Sequence, residues 1–164
     1  NEEVYYEIIR NKTASLLASA CAAGAWATSQ NEIFTNRMRR FGELTGMAFQ
    51  IKDDLFDYAS EEIGKPTGND LKESKLTLPL IYTLNNTDRS TRRKIIYIVK
   101  NEKEDKKKLA WVIEQVTKTG GIEYSIKKMN QFKEEALAEL KKFPESDIRK
   151  GLEDMVVFVT DRKY

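Results

Sequence analysis

The sequence of 164 residues contains no histidine, one cysteine and three prolines, and these shortages narrow its chemistry before any motif is read. Without histidine there is no imidazole to move protons near neutral pH, no common zinc ligand and no nucleophile–histidine pair. Any reaction must be run by carboxylates, lysines and a hard metal ion. Cys21 cannot form an internal disulfide; set in an Ala-rich stretch, it suits a small gap in a core and a reducing compartment, so a cytoplasmic location is expected. Long apolar runs are missing too. Thr13 to Asn31 carries no charge, but its large apolar groups are only Leu16, Leu17 and Trp26, too few for a membrane-spanning helix. It reads as a buried helix whose small residues let neighbours approach closely. The polar, acidic start (Asn1, Glu2, Glu3) is not a signal peptide. The chain begins without methionine and inside a helical pattern, as expected if its true beginning has been removed or if it is a piece of a longer polypeptide.

What is present is the composition of a water-facing helical protein, with 40% hydrophobic and 33% charged residues, enough for one domain with a substantial core. The 28 basic and 26 acidic side chains are interleaved and leave a net charge of +2, so no global field points to nucleic acid as a partner. Apolar periodicity predicts a core helix over residues 2 to 30 with Val4, Ile8, Leu16, Ala20 and Ala23 on its inner face. A second helix is predicted over 32 to 59, through Phe34, Met38, Phe41, Leu44, Met47, Ala48, Ile51 and Leu55. Gly64, Pro66 and Gly68 make residues 61 to 77 a loop. Thr77 and Pro79 start another helix through Leu84, and further helices are expected over 89 to 100, 103 to 118, 121 to 142 and 146 to 161. No stretch alternates as a strand, and no repeat or linker marks a second domain. The run Lys106, Lys107, Lys108 reads as a solvated helix face.

One segment stands apart. In Gln50-Ile51-Lys52-Asp53-Asp54-Leu55-Phe56-Asp57 the three aspartates recur at steps of three and four, which places them, with Gln50, on one side of a helix. Like charges at this spacing repel by a few tenths of a kcal/mol per pair. They sit mid-helix, far from the positive N-terminal end, so a cation should compensate them. Lys52 points elsewhere, and all-oxygen ligands favour magnesium over zinc. An exposed acidic helix face accounts for the spacing equally well. The company of the motif tips the balance, because Lys65, Lys72 and Lys75 follow on a Gly-containing loop and could meet a metal-bound diphosphate.

Three segments in this order resemble those of trans-type polyprenyl diphosphate synthases of the bacterial octaprenyl or heptaprenyl kind. Tyr6 to Leu16, YEIIRNKTASL, resembles the family's lysine-threonine helix. Gly46 to Tyr58, GMAFQIKDDLFDY, resembles its second aspartate-rich motif, and Gly64 to Leu80, GKPTGNDLKESKLTLPL, its lysine loop and following helix start. Weaker similarity continues through TGGIEYS at Thr119 to Ser125. Ser74 departs from the glycine that often precedes the loop lysine. The resemblance implies an all-α bundle of the isoprenoid synthase type, of which residues 1–164 are the C-terminal portion of a single domain. It implies that Asp53, Asp54 and Asp57 hold Mg2+, that Lys12, Lys65 and Lys75 contact an allylic diphosphate, and that Thr13 and Gln50 assist, with Lys12, Asp53 and Lys65 as catalytic residues. The implied reaction ionises the allylic diphosphate, joins it to isopentenyl diphosphate and ends in proton loss. The first aspartate-rich motif would lie in an N-terminal half, so this polypeptide is expected to be inactive alone, to associate through exposed apolar surface, and to form a homodimer when intact. An ionising lyase on the same fold is disfavoured by the lysine-threonine helix and the GKPTG loop; a non-catalytic partner subunit is the other alternative.

Overall fold

The computed structural model describes residues 1–58 and 68–162, and among them every regular element is helical. In chain order these are α1 (Glu2–Ile9), a π-turn (Arg10–Ala14), α2 (Ser15–Ser29), α3 (Glu32–Phe56), α4 (Asn69–Lys72), α5 (Leu78–Asn86), α6 (Arg89–Asn101), α7 (Lys106–Lys118), α8 (Gly121–Leu140) and α9 (Asp147–Asp161). The all-α expectation holds, and among the described residues no helix is long and apolar enough to cross a membrane. The boundaries follow from capping. Asn31 Oδ1 accepts the N–H groups of Ile33 and Phe34 and starts α3, while Asp88, Asp105 and Ser146 cap α6, α7 and α9. α7 begins later than expected because the Asp105 carboxylate captures the N–H groups of Lys107 and Lys108. Gly120, at φ 79°, closes α7 in the left-handed conformation that glycine adopts without strain.

The straight helix expected over residues 2 to 30 is interrupted, and its predicted inner face is wrong. Val4, Ile8, Leu16, Ala20 and Ala23 are exposed, whereas Tyr5, Ile9, Ala14, Ala18 and Ala22 are buried. The buried positions advance by four, then five, then four and four. The five-residue step is the π-turn at Arg10–Ala14, which inserts one residue into the helix and rotates everything after it. Downstream of that turn a 3.6-residue period carried through lands on the solvent side, at Leu16, Ala20 and Ala23, while Val4 and Ile8, upstream of it, miss because the buried stripe runs one residue over, through Tyr5 and Ile9.

The chain divides into two compact units. One comprises Asn1–Tyr5 and Asp53–Ile126. Its core gathers Tyr58, Leu71, Leu80, Ile95, Ile98, Leu109, Val112 and Val116, with α5 and α6 both packed on α7. Gly121 lets the start of α8 seat on α5, since a Cβ there would meet the Pro79 carbonyl oxygen at 2.5 Å. Tyr82 stacks on Tyr124 at 4.3 Å, and the Tyr124 hydroxyl donates to Glu2.

The other unit comprises Tyr6–Lys52 and Lys127–Lys163. Its core is formed by Phe41 and Leu44 of α3, Ala136 and Leu140 of α8 and Val156 of α9, with Met38 and Cys21 at its edge. Cys21 is half-buried there and burial pushes its thiol pKa up, as suits a gap-filling side chain. α2 and α3 approach closely at two glycines: a Cβ on Gly42 would lie 2.5 Å from the Leu17 carbonyl oxygen, and one on Gly46 would lie 2.5 Å from Ala14 Cα. Arg10 pairs with Glu43 across the same hairpin at 2.9 Å.

Candidate functional site

The residues singled out from the sequence fall in both units. In the second, Lys12 and Thr13 occupy the π-turn, a local rearrangement of helices that recurs at functional sites. Lys12 is exposed, and the Thr13 hydroxyl donates to Gln50 Oε1 at 2.9 Å, with Gln50 itself buried. The glycines explain why this contact exists. Gly42, Gly46 and Gln50 lie four residues apart on one stripe of α3, and the missing side chains admit the backbone of Ala14 beside Thr13.

In the first unit, Asp53 and Asp54 end α3 and Asp57 lies just beyond it. Asp53 is exposed. Asp54 is buried, and its Oδ2 accepts the Tyr5 hydroxyl at 2.7 Å. The Asp57 carboxylate turns to α4, where Oδ1 accepts the N–H of Asn69 at 2.7 Å and Oδ2 that of Asp70 at 3.0 Å, while its backbone carbonyl takes the N–H of Gly68. Burial and then the neighbouring Asp70 charge raise the Asp57 pKa, against the pull of the backbone N–H groups. α4 was not anticipated, because its cap comes from twelve residues upstream. Beyond α4, Ser74 adopts φ 58° and its hydroxyl donates to the Val99 carbonyl at 3.0 Å. The position where glycine is common is thus left-handed here also, held by a serine. Lys75 pairs with Glu73 at 2.6 Å and Asp70 at 3.1 Å, which raises its pKa. Lys65, with Gly64, Pro66 and Thr67, lies outside the described residues. Lys52 faces another set of charges, as expected; burial lowers its pKa while Asp161 opposes that shift.

The sequence profile of the family described as "Polyprenyl synthetase" matches residues 1–116. The chain belongs to this family. It is 33% identical over 166 residues to heptaprenyl diphosphate synthase component 2 of Bacillus subtilis (strain 168), covering 100% of this chain and 47% of that protein. The crystal structure of a decaprenyl diphosphate synthase from Rhodobacter capsulatus superposes with a TM-score of 0.92 at 31% identity, over 100% of this chain and 51% of that one. That of a polyprenyl synthase from Caulobacter crescentus CB15, complexed with calcium and isoprenyl diphosphate, gives 0.91 at 29% identity, over 100% and 51%. The fold is therefore that of the isoprenyl diphosphate synthases, and the chain spans about half the length of the curated relatives it matches.

Among the described residues, no three acidic or cysteine side chains are grouped as a metal cage. Magnesium does not require one, since it commonly takes one or two protein carboxylates and completes its shell with phosphate and water. Asp53, exposed, and Asp54, fixed by Tyr5, fit that demand. Asp57 has both oxygens engaged by backbone N–H groups and fits a structural part better. Tyr5 was not singled out from the sequence. Its signal was its position seven residues before Lys12, one residue outside the quoted lysine-threonine segment.

Proposed function

We propose that this chain is the C-terminal portion of a single prenyltransferase domain that adds isopentenyl diphosphate to an allylic diphosphate and builds a polyprenyl diphosphate in the cytoplasm. The observation that carries the reading is the division of labour among the aspartates. Asp53 is exposed to solvent at the end of α3, while Asp54 is buried against Tyr5 and Asp57 is turned to the backbone of α4. Asp53 and Asp54 would hold Mg2+, with Asp57 adding charge and fixing the segment that leads to Lys75. A divalent ion bound there supplies charge neutralisation to a departing diphosphate. Lys12, Lys65 and Lys75 bind the diphosphate oxygens, Lys75 exchanging its pairing with Asp70 and Glu73 for the ligand. Thr13 and Gln50 orient the π-turn that carries Lys12. None of these roles needs histidine.

The polypeptide of 164 residues does not turn over alone in this reading, because its relatives use twice the length, and the intact protein forms a homodimer. The name component 2, borne by two relatives, favours a second reading in which the chain is a helical subunit working with a separate polypeptide. The test is incorporation of isotope-labelled isopentenyl diphosphate onto an allylic primer with Mg2+, by this chain alone and joined to a complementary N-terminal half. Incorporation only by the joined protein, lowered about 100-fold by Asp53→Ala, is expected. Activity undisturbed by Asp53→Ala sinks the assignment, and incorporation only with an unrelated second polypeptide selects the subunit reading.

A further inference from the structure

Every charge on α6 is positive, and the helix shows its charged side to solvent. At about 100° per residue Arg89, Arg93, Ile96, Tyr97 and Lys100 share one side, with the exposed Arg92 at its edge next to Val99, and the buried Ile95, Ile98 and Val99 lie on the other side. The segment 89–108 holds nine basic and three acidic residues, a net +6 in a chain whose total is +2, so it is a positive pole on an otherwise acidic molecule. Ile96 and Tyr97 lie amid these cations and are 36% and 57% exposed. A cavity of about 410 Å³ beside them is lined by Lys94, Tyr97, Lys107, Lys108 and Trp111, with Lys94 Nζ 4.0 Å above the Trp111 ring. Glu102, the acid in that cavity, is neutralised by Lys108.

We propose that this face of α6 docks on an anionic lipid bilayer, its arginines and lysines at the headgroups and Tyr97 and Ile96 seated at the acyl boundary. Charge complementarity supplies the attraction, each basic residue near such a surface contributing about fivefold in affinity. Ile96 decides between bilayer and polyanion, because an aliphatic group gains nothing against phosphate but is stabilised among lipid chains. Tyrosine favours the same boundary. No helix among the described residues is long and apolar enough to cross a membrane, and the face proposed here lies along the bilayer surface. The inference stands independently of the proposed prenyl transfer.

The test is flotation of the 164-residue chain with vesicles of phosphatidylcholine, or of phosphatidylcholine and phosphatidylglycerol at three to one, in low and high salt. Binding to the anionic vesicles only, lost in high salt, is expected. The variant R92E/R93E/K100E should bind at least about 100-fold more weakly. Ile96→Ser with Tyr97→Ser should lose about fivefold while keeping the salt dependence. Reversing Lys127 and Lys150, exposed elsewhere, should change nothing. If the triple reversal loses helical circular dichroism, Arg92→Gln and Lys100→Gln replace it, each expected to weaken binding about fivefold. The proposal is overturned by no binding to anionic vesicles, by equal binding to neutral ones, or by binding to heparin or DNA in preference to vesicles and indifferent to Ile96→Ser.

Discussion

Replacing Gly46 by alanine sets two effects of opposite sign against each other. Alanine in a helix interior is favoured over glycine by about 1 kcal/mol, so on propensity alone the variant is more stable. The new methyl would lie 2.5 Å from Ala14 Cα and 3.3 Å from Ala14 N, and these are backbone atoms that no rotamer change can move. Forcing packed helices apart costs about 1–3 kcal/mol, and more when backbone is displaced. The clash wins, by about 1–2 kcal/mol, which in a chain of this size lowers the melting temperature by roughly 3–8 °C. Gly24 is the internal control, because a Cβ there meets nothing within 4 Å, and Gly24→Ala should raise stability by up to about 1 kcal/mol. Thermal and urea unfolding followed by far-ultraviolet circular dichroism would measure both. If Gly46→Ala proves as stable as Gly24→Ala, the close approach of α3 to the π-turn is not what holds the hairpin, and the explanation given for the Thr13–Gln50 contact fails with it.

Asp57→Ala removes the acceptor for two backbone N–H groups and should cost about 1–2 kcal/mol, with faster amide exchange at Asn69 and Asp70 than in Asp57→Asn; unchanged exchange would show that α4 needs no cap. At Ser74, alanine keeps the left-handed strain and loses the bond to Val99, about 1 kcal/mol, whereas glycine loses the same bond but relieves about 1–2 kcal/mol of strain. Urea midpoints should therefore place Ser74→Gly at or above Ser74→Ala, and the reverse order would contradict the backbone conformation. The Lys133 ammonium holds the Asp161 carboxyl below its usual range at 2.7 Å, so this pair stabilises the fold above the ordinary aspartate pKa and is lost as pH falls through the depressed value. Because Asp161 is more than half exposed, Asp161→Asn should flatten the acid limb of a stability–pH curve by less than about 1 kcal/mol, and a steeper limb would reverse the sign argued here.

Much of this was legible in local sequence because local chemistry decides it. Asp88, Ser146, Gly120 and the Thr77–Pro79 start each act within a few residues of themselves, and the α6, α8 and α9 boundaries agree with expectation within two residues or so. The misses share a different cause. The π-turn adds one residue to a helix without any glycine or proline to announce it, and it moved the buried face from Leu16 and Ala20 to Ala14, Ala18 and Ala22. α4 exists through a carboxylate far upstream, and Tyr5 reaches Asp54 across forty-nine positions, contacts that no window of sequence contains. The aspartate spacing was visible, but the different fates of Asp53, Asp54 and Asp57 depend on which partners the fold brings to each.

The path of the chain through its two units has a consequence for its birth. Phe41 and Leu44 emerge well before the side chains that cover them, Ala136, Leu140 and Val156 of α8 and α9. At about 5–20 residues per second, synthesis of the intervening hundred or so residues takes roughly 5–20 s, during which that apolar surface stays open on the nascent chain. The intervening helices α5, α6 and α7 carry their own core and can close first. The order of folding is therefore inside out, with α5 to α7 settling before α3 meets α8 and α9, and the interval is the stretch in which a chaperone would be needed most.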